Sequence, residues 1–177
     1  MWVACAHCIG CPTSSLILNQ LQFFDPSNSS TVSAISCADQ RCAQVAQYSN
    51  SACSSLNQCN YRLQYAEGSS TTGVFFNDLM HLEKVHGNTT FFNSSAHVIF
   101  GCSTHHTRGL TKSINALDGI IGLGQRELSI ISQLSAQGLA PYVFSHCLEG
   151  SGNCGGILVL GPILEPRLVY TPLIPSK

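Results

Sequence analysis

Ten cysteines, at positions 5, 8, 11, 37, 42, 53, 59, 102, 147 and 154, hold most of the reactive chemistry in this chain. The first three form Cys5-x2-Cys8-x2-Cys11, with His7 inside the run. Two-residue spacing lets two thiolates reach one tetrahedral metal ion, but a zinc knuckle wants a fourth ligand nearby and the next cysteine is Cys37. The same spacing serves thiol–disulfide exchange, for which the usual βαβ surroundings are missing, and it serves structural bridges equally well. In a Ser- and Asn-rich chain with an even cysteine count, structural disulfides are the expectation, with no metal and no cofactor. A second group is His105-His106, with Cys102 and Thr104 nearby. Adjacent residues of an extended chain face opposite ways, so the two imidazoles do not converge on one ion, and the pair reads as part of a solvated loop. Asp118-Gly119-Ile120-Ile121-Gly122-Leu123-Gly124 has glycines at G-x-x-G-x-G rather than the G-x-G-x-x-G of a dinucleotide site. Its glycines fit a crossing where backbones approach closely. Tyr65-Ala66-Glu67-Gly68-Ser69-Ser70-Thr71-Thr72-Gly73 reads as a hairpin tip carrying one aromatic ring. No G-x-S-x-G elbow occurs, and none of the seven histidines sits in a triad context.

The elements that must position these residues are mostly strands. Residues 1–60 are loop-rich, with a turn opened by Phe24-Asp25-Pro26 and continued through Ser27 to Thr31. Cys37, Cys42, Cys53 and Cys59 enclose a polar insertion with little core of its own, which needs covalent staples to hold a shape. Tyr61 to Tyr65 alternates with period two, a Gly/Ser turn follows, and Val74 to Leu82 resumes an extended pattern, which together predict a hairpin. A second turn is expected from Gly87 to Ser95, then a short buried strand from His97 to Cys102. One helix is expected within 117–138, with Leu128, Ile131 and Leu134 on one face, Ile130 beside Leu134, and Gly138 as its stop. Val143–Leu148, Gly156–Gly161 and Leu168–Leu173 read as core strands.

The length of 177 residues allows one domain of ordinary size. A net charge of −1, from eight Lys+Arg and nine Asp+Glu, leaves no electrostatic footprint for nucleic acid. Hydrophobic residues make up 44%, enough for a core, and no apolar run approaches a membrane span. Three N-x-S/T sequons, at Asn28, Asn88 and Asn93, agree with the cysteines in pointing to the secretory pathway. Met1-Trp2-Val3-Ala4-Cys5 has neither the basic nor the apolar region of a signal peptide, so the expectation is that the natural N-terminus lies upstream.

Several of these pieces occur in a fixed order: Trp2-Val3-x-Cys5-x2-Cys8-x2-Cys11, Phe24-Asp25-Pro26-x2-Ser29-Ser30-Thr31, the Cys37 to Cys59 insertion, and Tyr65-x2-Gly68-Ser69-x-Thr71-x-Gly73. Phe100-Gly101-Cys102, the Asp118 to Gly124 run, Leu128-Ser129-x3-Gln133-Leu134 and Phe144-Ser145-x-Cys147-Leu148 follow. In this order they resemble the pepsin-like aspartic peptidases, in particular the plant nepenthesin-type branch, which shares its N-terminal lobe with the plant xylanase inhibitors. The resemblance implies a mostly β fold: an incomplete pepsin-like N-terminal lobe with short helices spanning 1–177, a disulfide-stapled insertion at about 37–59, and no second lobe. It implies that Tyr65 is the flap tyrosine, that Gly68, Ser69 and Thr71 form the flap tip, and that Trp2 holds Tyr65 through its indole N–H. Asp118, Gly119 and Ile120 would form a cleft wall. The implied bridges are Cys5–Cys8, Cys11–Cys102, Cys37–Cys59 and Cys42–Cys53. Cys147 would reach for the second lobe, or pair with Cys154.

An aspartic peptidase needs two carboxylates sharing one proton around a water, each carried on a D-T/S-G turn. The four aspartates here occur as Asp25-Pro26, Asp39-Gln40, Asp78-Leu79 and Asp118-Gly119, so none is in that triplet. The expectation is therefore an aspartic endopeptidase by family, acting on peptide or protein substrates together with a second lobe, with this chain inactive alone. The alternatives are a binding relic like the xylanase inhibitors and a truncated, inactive product.

Overall fold

In the computed structural model, residues 1–14, 20–46, 53–86, 90–149, 155–163, 167–169 and 171–172 are described. Its frame is a long antiparallel pair, β4 (Ser70–His86) and β5 (Thr90–Thr107), in register from Ser70 opposite Thr107 to His86 opposite Thr90. One irregularity, between Thr72 and Gly73, interrupts the ladder. A Cβ on Gly73 would run into the Cys102 carbonyl, so only a bare backbone fits there. On the far edge of β5, β1 (Trp2–Ile9) runs parallel, with Trp2 opposite Gly101 and Val3 opposite Cys102. Shorter strands complete a six-stranded sheet: β2 (Ser33–Ala34) and β3 (Asn60–Gln64) on β4, and β6 (Gly119–Ile120) on β1.

Alternation along β4 and β5 divides the core between the two faces. Phe75 and Ile99 join Trp2, Ile35, Tyr61 and Leu110 on one face. Val98 and Phe100 join Ile130 and Leu134 on the other, with Phe76 packed against them. The helix that covers this second face is short. Ser129 caps it by accepting from the Ser132 N–H, and Gly138, at φ +68°, lies just past its end. Apart from a helical stretch at Gln40–Ala46, this segment at Ile130–Ala136 is the one α-helix among the described residues. We label them α1 and α2. The glycine stop matches the sequence signal, but Leu128 lies before the first turn.

Several expectations are corrected. The turn expected from Gly87 to Ser95 is strand from Thr90 onward, with Asn93, Ser94 and Ser95 paired to Glu83, Leu82 and His81, and positions 87–89 lie outside the described residues. Polarity marked a turn there because this end of the hairpin is solvated, with Asn93, Ser95, His81 and Glu83 all exposed. His105 and His106 lie within β5 rather than in a loop, and they do face opposite ways: His105 is exposed and His106 is 2% exposed. Helix α1 was not expected in the cysteine insertion. Asp39 accepts the Arg41 N–H at its start. The apolar runs near the end form a separate hairpin, β7 (Ser145–Glu149) with β8 (Gly155–Val159), and leave Leu148 79% and Ile157 61% exposed rather than in the core. Leu168 and Val169 are exposed and not in a strand.

The eight expected cysteines are bridged, but with exchanged partners: Cys5–Cys102, Cys8–Cys11, Cys37–Cys53 and Cys42–Cys59. The register explains the first. Cys102 lies opposite Val3, and Cys5, two residues along β1, points to the same face. Cys8 is then left for Cys11, and Gly10 at φ +75° turns the chain back between them. In the insertion α1 carries Cys42 inward to Cys59, both within the core, while Cys37–Cys53 closes the outer side. Cys147 is an exposed free thiol, and Cys154 lies outside the described residues.

Candidate substrate-cleft site

The site begins at the first residues of β1. Trp2 is buried, and its Nε1–H donates to Tyr65 Oη at 2.8 Å across 63 positions of sequence. Tyr65 stands where β3 ends. Its N–H donates to the Ser69 carbonyl and its carbonyl accepts from the Gly68 N–H, both at 2.9 Å, so the segment closes on itself as a tight turn. Gly68 has φ +89°, a backbone conformation that calls for glycine.

The exposed part of the turn is Ala66-Glu67. Ser69 and Thr71 lie buried beneath it. Thr71 Oγ1 is 2.7 Å from Ser103 Oγ and 3.3 Å from Tyr61 Oη, a small polar chain that ties the turn to β5. Burial pushes the Tyr61 hydroxyl up to about 12, only partly opposed by hydrogen bonds with Thr71 and Ser103. Burial also raises Tyr65, against the Trp2 hydrogen bond. Tyr65 is therefore a neutral phenol that accepts from Trp2 and keeps its own O–H to donate.

Asp118-Gly119-Ile120 meets β1 from the other side. The Asp118 carbonyl accepts from the Ala4 N–H at 2.6 Å, Gly119 lies opposite Val3, and Ile120 lies opposite Trp2. A Cβ on Gly119 would collide with the Trp2 carbonyl. The Asp118 side chain is exposed. Trp2, Tyr65 and Ile120 thus share one packed cluster, with Gly119 setting how close the strands come. Beside it opens an apolar cavity of about 620 Å³, lined by Met1, Trp2, Tyr61, Leu63, Phe75 and Leu128 among others, but not by Tyr65, Asp118 or Ile120.

The other three aspartates are occupied structurally. Asp25 accepts from the Ser27 N–H and Asn28 Nδ2 at the start of a 3-10 turn. Asp39 pairs with Arg41, whose hydrogen bonds lower it to about 2. Asp78, buried, accepts from Thr31 and from the Leu79 N–H. No two aspartates are hydrogen-bonded to each other among the described residues. Of the sequons, Asn28 and Asn93 are exposed and Asn88 is outside the described residues.

The family model described as Xylanase inhibitor N-terminal matches residues 1–162. The chain belongs to that family. It is 36% identical over 177 residues to Aspartic proteinase 36 of Arabidopsis thaliana and 34% identical to Aspartic proteinase 39 of the same plant. The match takes in the whole chain but only 36% and 37% of those proteins, so the chain spans little over a third of the length of the curated relatives it matches. Conglutin gamma, a basic 7S globulin from lupine seeds, has the same fold with a TM-score of 0.63 over 94% of this chain and 40% of its own, at 20% identity. The fold is thus the N-terminal region of a plant pepsin-like aspartic proteinase, as the ordered motifs implied.

Two residues of this lobe matter more than the sequence reading of them suggested. Gln133 falls in the run Leu128-Ser129-x3-Gln133-Leu134. Its amide clamps the backbone of Ile99, accepting from the N–H at 2.7 Å and donating to the carbonyl at 2.9 Å. His106, hidden in what read as a loop, packs edge-on against Trp2 with ring centroids 4.9 Å apart. Burial lowers its pKa, with His105 adding to this and the Leu110 backbone opposing it. Among the described residues neither ring nitrogen has a partner in full hydrogen-bond geometry, although the Leu110 backbone lies near enough to oppose the shift. The alternation of β5 would have revealed it, had the strand been extended past Cys102.

Proposed function

We propose that this lobe serves an aspartic endopeptidase, as its flap and one wall of its substrate cleft. The Trp2–Tyr65 hydrogen bond is the observation that carries the reading. It fixes an aromatic hydroxyl at the root of an exposed turn, where it can close over an extended peptide. The secretory pathway, glycosylation at the exposed Asn28 and Asn93, and a peptide or protein substrate belong to the same proposal. The four aspartates lack the D-T/S-G setting, and three are engaged in caps or pairs. The water-activating pair must then come from sequence outside these 177 residues, and the lobe alone does not hydrolyse peptides. The test is to isolate the native protein, map its peptides at both ends, and assay it at acid pH on a denatured protein substrate with and without a transition-state analogue. Hydrolysis blocked by the analogue, with D-T/S-G peptides flanking this sequence, supports the reading. Intact native protein without such triplets and without hydrolysis rejects it.

A second reading is favoured by the family description itself: a non-catalytic lobe that binds a glycoside hydrolase as an inhibitor does. Tight binding of a xylanase by a native protein that cleaves nothing would select it.

A further inference from the structure

We propose that Cys8, Cys11 and His106 form a redox-gated site for a zinc-class divalent metal ion, closed while Cys8–Cys11 is a disulfide and opened when that bridge is reduced. One ligand atom from each residue lies within 4.8 Å of the others. Two ligands on one tetrahedral zinc stand about 4 Å apart, given the usual Zn–S and Zn–N distances, so small side-chain movements suffice. The Cα atoms of Cys8 and Cys11 are 5.5 Å apart across the Gly10 turn, which brings both sulfurs to one side. A Cβ on Gly10 would lie 2.8 Å from the His106 carbonyl, so the glycine lets this turn rest directly on the strand that carries the imidazole.

His106 supplies the second, independent sign. It is 2% exposed, and among the described residues neither ring nitrogen has a partner in full hydrogen-bond geometry. Buried polar groups are ordinarily paired, and an unpaired one calls for an explanation in what it is there to meet. Two thiolates and an imidazole are a zinc-type donor set, with a fourth position left for water. The balance is simple. The disulfide takes two electrons and two protons from a dithiol, which is itself oxidised to a disulfide. The metal ion then displaces both thiol protons and binds the two thiolates and one neutral ring nitrogen. The sequence reading expects no metal; the proposed site departs from that expectation and exists only in the reduced chain.

Trp2 is the chain's single tryptophan and touches His106, so its fluorescence reports occupancy. The full chain is treated with a limiting amount of immobilised dithiol, the opened bridge is located by alkylation and peptide mapping, and cobalt(II) is titrated in without oxygen. The expected result is thiolate-to-cobalt charge-transfer absorption with tetrahedral d–d bands at one ion per chain, quenched Trp2 emission, and displacement by zinc. His106→Gln should weaken cobalt binding at least about ten-fold while the bridge still opens. His106→Phe serves where the glutamine variant does not fold. Three results each overturn the proposal: no cobalt absorption in a chain whose Cys8–Cys11 bridge is mapped open, unchanged affinity without the imidazole, or the same absorption in the Cys8→Ser/Cys11→Ser chain.

Discussion

Trp2 Nε1–H donates to Tyr65 Oη, joining the start of the first strand to the turn after the third. The donor is buried, so its partner cannot be replaced by bulk water. Tyr65→Phe should lower unfolding stability by about 1–3 kcal/mol, the usual consequence of leaving a buried donor unpaired. Trp2→Phe should cost more, since it also leaves a cavity in the cluster. The double variant should be less destabilised than the sum of the two, because each single change already breaks the bond. Urea midpoints for the four chains test this, and strict additivity would refute the coupling.

Gly119 and Gly124 lie in the same glycine-rich run but in different surroundings. A Cβ at Gly119 meets the Trp2 carbonyl and the Val3 backbone, which cannot swing aside as a side chain could. At Gly124 nothing lies within 4 Å. Gly119→Ala is expected to destabilise by about 1–3 kcal/mol or more. Gly124→Ala should stay within about 0.5 kcal/mol. Thermal melts of the two variants should separate clearly, and equal melts would mean that the β1–β6 contact does not hold the site together.

What was legible in the sequence follows from what local pattern can encode. The β3–β4 hairpin was readable because alternation and a Gly/Ser turn are properties of neighbouring residues. The stop at Gly138 was readable for the same reason. The disulfide partners were not. Spacing brings Cys5, Cys8 and Cys11 together without saying which one the parallel register of β1 on β5 delivers to Cys102. The flap pair was reached through ordered motifs, not periodicity, because nothing local links residues 2 and 65. His106 reads as part of a loop because a polar run at the end of a strand looks like one until its partners on both sides are known. The β7–β8 residues look like core in the sequence because apolarity alone cannot say whether a strand has anything to pack against.

Gln133 occupies the edge of β5 just before β1 begins to pair with it. Its amide does for Ile99 what a neighbouring strand would do, and it also donates to the Leu128 carbonyl at 3.1 Å. Gln133→Ala should unpair an N–H and a carbonyl in a partly buried place, with a loss of about 1–3 kcal/mol. A stability loss could come from α2 alone, so the decisive readout is hydrogen exchange at the Ile99 amide. It should accelerate more than the amides of Val98 and Phe100. Uniform acceleration along β5 would assign the effect to the helix instead.

Tyr61 makes stability depend on alkaline pH. In the folded chain burial holds its hydroxyl at about 12, against 10 for an ordinary tyrosine. Below pH 10 the group is neutral in both folded and unfolded chains, and its contribution is fully present. Between about pH 10 and 12 the unfolded chain gives up its proton first, so stability falls with rising pH. The slope approaches about 1.4 kcal/mol per pH unit for this one group. Tyr65 is also raised by burial and adds to the loss in the same direction. Tyr61→Phe should therefore flatten the curve without abolishing it, while Thr71 keeps its hydrogen bond to Ser103. The measurement is a set of urea midpoints from pH 8 to 12. It is best made in a Cys147→Ser background, because the exposed Cys147 thiol would otherwise shuffle disulfides at high pH. Identical slopes with and without the Tyr61 hydroxyl would show that its burial does not set the alkaline limit.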